Sequence, residues 1–276
     1  MFKTILIKAQ KNVFSSAIGE NSTKIKGIGY DFVELREYAN GDDVKHIDWT
    51  ISAKLTKPYV KVFQEQRELN IVIAPILCAS VNFGIKILKQ DVISEISALI
   101  AFCAVKQNDP FSSYICNDDT TLSTRKNKLI FNVKELVQKI YSYDTRTKAI
   151  NYKLLSSRLY TQLKQKSMIF LIGDFFHTKD FDITALSNKH ELIILIVRDR
   201  FEENPIELGE IRVIDPQTQK SSFVNINKKE SLKIKQELLK NDDIFFQKLK
   251  RAGVRFVKIY TDESIESKII SLMRSV

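Results

Sequence analysis

A chain of 276 residues, 44% hydrophobic and 28% charged, can bury one large core or a core with an appendage, and its composition excludes a disordered or fibrous protein. Three cysteines, Cys78, Cys103 and Cys116, with no Cys-x-x-Cys pair, exclude a disulfide framework and a thiolate zinc site and suit reduced thiols in the cytoplasm. A net charge of +10 favours acidic partners, nucleic acid or an anionic membrane surface without choosing among them, and a lysine-rich solubilising surface is the simpler account of it.

The N-terminal stretch Met1 to Lys8 has an apolar segment too short for a secretory signal. No apolar run approaches the roughly 20 residues of a membrane span. Ser15 to Lys26 is polar and reads as a loop. From Gly27 to Phe63 hydrophobic and charged residues alternate around Asn40-Gly41-Asp42-Asp43, a turn signal because these residues tolerate positive φ. This predicts a small β-rich module over residues 1–66, closed by the charged run Gln64 to Glu68.

Beyond it the texture changes. Ile71 to Ala74 reads as a buried strand ended by Pro75. Gly84 is expected to open a helix whose face is Val92 or Ile93, Ile96, Leu99 or Ile100, and Cys103. Asp109-Pro110 breaks it, and Phe111 to Cys116 reads as a second strand. Helical periodicity covers Phe131 to Tyr141 and Tyr152 to Leu163. Met168 to Ile172 and Leu192 to Val197 are buried strands, separated by a short helix around Ile183 to Leu186. Residues 205–226 form a β excursion, followed by a lysine-rich helix from Lys229 to Arg251 with Gly253 as its stop. Val254 to Ile259 is the last strand, and Thr261-Asp262-Glu263 opens the last helix. Apolar strands alternating with helices predict a doubly wound, mostly parallel α/β domain over residues 67–276.

The motifs Arg36-Glu37-Tyr38, Gly41-Asp42-Asp43, Ile47-Asp48-Trp49 and Ser52-Ala53-Lys54 closely resemble the signature of the bacterial domain-of-unknown-function 58 family. The resemblance continues through Asn82-Phe83-Gly84, Ile172 to Phe176, Asp199 to Glu203, Gly209 and Asp215-Pro216, and so spans most of the chain. It implies a von Willebrand factor A-like domain behind the N-terminal module. It also implies a chaperone-like adaptor role beside a MoxR-type AAA+ ATPase.

Ligands of open parallel sheets bind outside the carboxyl ends of the strands, here Ile76 to Ser80, Asp174 and Asp199. The resemblance implies an Asp-x-Ser-x-Ser loop holding Mg²⁺ at the first of these. In this chain its positions are Ile76, Cys78 and Ser80, with Asp174 at the later strand end, and Thr120, Thr121 and Thr124 are open candidates for a further ligand. An aliphatic residue and a thiol do not suit a hard cation, so no metal is expected. Asp43, His46 and Asp48 form a possible hydrolase or metal cluster. The simpler expectation is that these carboxylates cap turns and pair with Arg36 or Lys45, while Trp49 anchors the module onto the sheet domain. No phosphate-binding loop, dinucleotide fingerprint or nucleophile elbow occurs, so an ATPase activity would come from another chain. The helix of Lys229 to Arg251 carries an apolar face of Ile234, Leu238, Leu239, Ile244, Phe245 and Leu249, and its lysines could instead touch nucleic acid or lipid headgroups. The leading expectation is a non-enzymatic adaptor in which Arg36, Glu37, Tyr38, Gly41, Asp42, Asp43, His46, Asp48 and Trp49 form a partner-binding or structural signature. A basic nucleic-acid-binding protein and a hydrolase are the alternatives.

Overall fold

The computed structural model describes residues 4–6, 30–65, 68–207, 209–215, 218 and 220–274, with side chains except at 30–33, 63–65 and 274. The loop expected at Ser15 to Lys26, Gln66 and Pro216 lie outside these residues. The chain divides into two compact units, Glu20–Glu68 and a larger one that joins Met1–Gly19 to Leu69–Val276. The smaller unit therefore starts later than residue 1, and Ile5 lies in the core of the larger.

In the small unit, strands β1 (Tyr30–Glu37) and β2 (Tyr59–Glu65) pair antiparallel, with a register shift between Phe32 and Glu34. The Asn40-Gly41 turn exists, and Gly41 takes φ +108°, but it is not the tip of a tight hairpin. Glu37 pairs with Tyr59, so the connection holds that turn, a 3₁₀ turn at Val44–His46 and helix α1 (Trp49–Leu55). Thr56 ends α1 in the left-handed region at φ 58°.

The large unit is built on six strands. In chain order its elements are β3 (Ile71–Pro75), α2 (Lys89–Lys106), β4 (Phe111–Cys116), β5 (Thr120–Asn127), α3 (Ile130–Tyr141), α4 (Tyr152–Gln162), β6 (Met168–Gly173), α5 (Thr184–Lys189) and β7 (Glu191–Arg198). There follow α6 (Arg200–Glu203), a separate antiparallel hairpin of β8 (Gly209–Ile214) and β9 (Ser221–Ile226), α7 (Lys228–Arg251), β10 (Arg255–Tyr260) and α8 (Ile265–Arg274). The sheet order is β10-β7-β6-β3-β4-β5, parallel except for β5 against β4. This is the doubly wound, mostly parallel α/β arrangement. The winding reverses between β3 and β6, and their carboxyl ends open the crevice where such sheets place ligands.

The core is continuous aliphatic strand. Every residue of β3 and β4 is buried, as is every residue of β6 after Met168 and of β7 after Glu191. Helix α2 is buried on nearly all sides, from Lys89 to Ala104. It begins at Lys89 rather than at Gly84. The residues between fold back so closely that a Cβ at Gly84 would lie 1.9 Å from the Ile87 carbonyl oxygen, which only glycine tolerates. Strand β5 was not expected: its inward positions are Thr120 and Thr124, so the apolar alternation that marks a strand is missing. The apolar face expected on α7 is only partly used. Phe245 and Leu249 are buried, with Asp242, whereas Ile234, Leu239 and Ile244 are exposed.

Candidate functional site

Three strand ends meet at the crevice. After β3, Ile76 is fully buried and lies against Gly173 of β6, where an added Cβ would sit 2.8 Å from that of Ile76. The backbone continues the ladder, with Ile76 N–H donating to Ile172 O at 2.7 Å and Leu77 N–H to Cys116 O at 2.8 Å. Cys78 Sγ is 3.2 Å from Ser80 Oγ. Burial, with the nearby Asp174 carboxylate, pushes the Cys78 thiol up to about 11, so it stays protonated and is a poor nucleophile or metal ligand at neutral pH.

After β6 the chain turns through Phe175 and His177, both left-handed at φ 51° and 55°. A bulky residue at positive φ is uncommon and costs energy, and the Phe175 ring supplies the compensation. It is 2% exposed and stacks with Phe245 at 5.7 Å, Phe181 at 6.2 Å and Tyr152 at 6.3 Å. The turn thereby holds the neighbouring Asp174 and Phe176 in place.

Asp174 is 1% exposed, and its partner is Lys89, the first residue of α2. The Lys89 ammonium is fully buried, 3.1 Å from Asp174 Oδ2 and 2.6 Å from Glu202 Oε1. It also lies over the Phe176 ring at 4.9 Å and the Phe83 ring at 5.9 Å. After β7, Arg198 stacks its guanidinium on Phe176 at 3.8 Å and donates to Asp242 Oδ1 at 2.9 Å. Asp199 caps α6: its Oδ1 accepts from Phe201 N–H at 2.9 Å, while Glu202 Oε2 accepts from Asp199 N–H at 3.1 Å. Asp199 Oδ2 also accepts from Ile85 N–H and the Thr261 hydroxyl. Burial works against this carboxylate, but the hydrogen bonds from Phe201, Ile85 and Thr261 with the nearby Lys89 charge outweigh it and hold its pKa below the usual range. Glu202 goes the other way: burial raises it against the pull of Lys89. The network extends through Lys258, which bonds Asp242 and Glu203 at 2.7 Å each, to the Tyr260 hydroxyl on Glu203 at 2.6 Å.

These residues do not fit Mg²⁺. The first two positions of the implied loop present an aliphatic side chain and a protonated thiol, and Asp174 is already neutralised by an ammonium. Among the described residues no group of three or more His, Cys, Asp or Glu gathers to hold a metal. Thr120, Thr121 and Thr124 belong to β5, two strands from β3 and so roughly 10 Å across the sheet. The loop that does abut Ile76–Ser80 is Thr145–Lys148, since Ala79 N–H donates to Lys148 O at 2.8 Å and Thr145 is buried. Beside the crevice a cavity of about 530 Å³ opens between Ile85, Phe201, Ile206, Leu239 and Tyr260, with Lys86 and Lys235 in its lining.

In the small unit the signature residues hold one another. Arg36 forks onto Asp42 at 2.9 and 2.6 Å, and Asp42 also accepts from Ala39 N–H. The Arg36 hydrogen bond, then that of Ala39 N–H, lowers the Asp42 pKa. Glu37 pairs with Lys57 at 2.8 Å, and the Tyr38 N–H bonds Pro58 O. Asp43 accepts from Lys45 N–H at 3.0 Å. Asp48 caps α1 through Thr50 and Ile51 N–H and pairs with Lys61 at 2.9 Å, not with Arg36 or Lys45 as expected. The Asp43 and Asp48 carboxylates thus each accept from the backbone of their own turn. Trp49 is 67% exposed, and Val44 and Leu55 are exposed with it.

A family model described as "Protein of unknown function DUF58" matches residues 34–241, the span from this signature to the middle of α7. The chain belongs to the DUF58 family. Among curated proteins, this DUF58 chain is 21% identical to the uncharacterized protein Rv1480 of Mycobacterium tuberculosis and to the uncharacterized protein Mb1516 of Mycobacterium bovis. Each match spans 221 residues, 78% of this chain and 70% of the relative. Among solved structures it is similar to the conserved hypothetical protein BatB from Bacteroides thetaiotaomicron, with TM-score 0.48 and 11% identity over 75% of this chain and all of that one. A von Willebrand factor type A structure from Catenulispora acidiphila gives TM-score 0.32 and 8% identity over 51% of this chain and 35% of that one. Among the described residues of this DUF58 protein no helix is long and apolar enough to cross a membrane.

Sequence reasoning placed Ile76, Cys78, Ser80 and Asp174 together at the crevice but missed Lys89, Arg198, Glu202 and Asp242. Two signals were available. Arg198 directly ends an aliphatic strand, and Glu202 follows Asp199 at the spacing of a capping box.

Proposed function

We propose that this DUF58 protein is a non-enzymatic, chaperone-like adaptor of the cytoplasm that docks a MoxR-type AAA+ ATPase, which supplies the energy for assembling or activating other proteins. The observation that carries this reading is Trp49. It sits at the start of a helix whose cap, Asp48, is fixed by two backbone N–H groups and Lys61, yet its side chain stands 67% exposed beside exposed Val44 and Leu55. Exposed tryptophan is a residue type enriched among those that dominate protein interfaces. The charged groups of the crevice, by contrast, are engaged with one another.

The test is a pull-down of a purified MoxR-type ATPase on the immobilised full chain, with and without ATP. Wild type retains the ATPase, and Trp49→Ala weakens retention at least about tenfold while the circular dichroism spectrum is unchanged. Equal retention by wild type and Trp49→Ala, or none by wild type under either nucleotide condition, overturns the reading.

A further inference from the structure

We infer that the loop joining β5 to α3 is a membrane-surface contact: Leu129, Ile130 and Phe131 enter the headgroup layer of an anionic bilayer, while Arg125, Lys126 and Lys134 meet its lipid phosphates. The inference uses no residue of the small unit and does not depend on the adaptor reading.

These three apolar residues are consecutive, and the fold leaves them outside. Leu129 is 63% exposed and Phe131 70%, with Ile130 exposed between them. Helix α3 buries a different set in the core, Val133, Leu136, Val137 and Ile140. Leu129 is also the N-cap of α3 and makes no capping hydrogen bond there, where serine or aspartate would stabilise the helix. Packing and helix stability therefore give no reason for an apolar residue at this position. Polar bonds order the tip instead: Asn127 Oδ1 accepts from Leu129 N–H at 3.0 Å, and Asn132 N–H donates to Leu129 O at 3.0 Å. The charge around it has one sign. From Thr120 to Lys134 the sequence holds Arg125, Lys126, Lys128 and Lys134 and no acidic residue. Lys126 Nζ donates to Gln165 Oε1 at 3.3 Å, which brings in the turn carrying exposed Lys164 and Lys166. The next carboxylate along the chain, Glu135, is paired with Lys139 at 2.7 Å. A contiguous exposed apolar group rimmed by charged side chains marks an interaction site. Aliphatic Leu129 and Ile130 give a nucleic-acid base nothing to stack on. A bilayer, by contrast, takes apolar side chains just below its headgroups while long basic side chains reach its phosphates.

Flotation of the full chain with lipid vesicles tests this. Wild type should float with vesicles rich in phosphatidylglycerol and stay behind with phosphatidylcholine alone, and added NaCl should weaken the binding. Leu129→Ser with Phe131→Ser should weaken it at least about tenfold, since binding scales with the apolar area inserted. That pair should melt no lower than wild type, because serine improves the cap of α3. Arg125→Gln with Lys134→Gln should weaken binding roughly 30-fold, the scale for two basic residues at an anionic surface. If the serine pair melts lower than wild type, the glutamine pair decides alone. The inference is overturned if wild type ignores both kinds of vesicle or binds both equally. It is also overturned if a folded serine pair or the glutamine pair floats like wild type, which would put the contact elsewhere, as on the lysines of α7. Retention of wild type by a short DNA duplex, with no flotation on either vesicle, overturns it in favour of nucleic acid. No arm uses the ATPase, so this inference and the adaptor reading fail separately.

Discussion

Replacing Asp242 by alanine tests how the crevice is held together. Asp242 is 5% exposed and accepts from Arg198 Nη2 at 2.9 Å and Lys258 Nζ at 2.7 Å. Its two partners are not equivalent. Lys258 keeps Glu203 at 2.7 Å when Asp242 is lost. Arg198 is 1% exposed, and its Nε and Nη1 already lie buried without an acceptor among the described residues, so it is left with only the Phe176 ring. Breaking a buried pair by removing one partner costs about 3–5 kcal/mol, because the surviving charge stays desolvated. The fallback of Lys258 leaves Arg198 as the main source of that cost. Removing the pair as a whole should have the opposite effect. Arg198→Met with Asp242→Leu removes both charges and fills the space, so it should recover most of the loss. Urea unfolding followed by circular dichroism measures both, provided the slopes agree with wild type. A loss below about 1 kcal/mol for Asp242→Ala, or a double variant no better than the single one, refutes the argument that desolvation dominates here.

Gly173→Ala should cost about 2–3 kcal/mol in the same assay, since the new methyl meets the Ile76 Cβ, which no rotamer change can move; a neutral result means β3 and β6 separate easily. Asp48→Ala should uncap α1 and release Lys61, seen as faster proteolysis between residues 44 and 58 with the large unit unaffected; unchanged cleavage would leave the cap without a role. Asp199 has a folded pKa below its unfolded value near 3.9, so its stabilisation is present in full above that value and is lost as pH falls through the folded pKa. Melting scans across that acidic window should show a flatter loss for Asp199→Asn than for wild type, and parallel curves would contradict this.

The aliphatic strands were the most legible part of the fold. Met168 to Ile172 and Leu192 to Val197 appear within a residue or so of their expected bounds, because strands buried on both faces are continuous apolar runs. Strand β5 was illegible for the complementary reason: threonines point inward, and a polar run after Asn117-Asp118-Asp119 looks like a loop. At the site, the caps of Asp43 and Asp48 were legible because each reaches only two or three residues on, whereas the partners of Arg36 and Asp48, Asp42 and Lys61, were not the expected ones. The Lys89 pairs were out of reach, because their partners lie 85 and 113 residues away and a lysine in a polar stretch reads as solvated.

The uneven burial of α7 bears on how the molecule breathes. From Lys228 to Lys240 no residue of this helix is fully buried, whereas Asp242, Phe245 and Leu249 hold its second half. The β8–β9 hairpin before it is similarly shallow, with Ile226 its one buried residue among those described. Amide protons of β8, β9 and the first half of α7 should therefore exchange through small local openings, while those of β6 wait for the whole unit to unfold. One polypeptide then carries a quiet interior and a restless flank, and the border between them falls within a single helix.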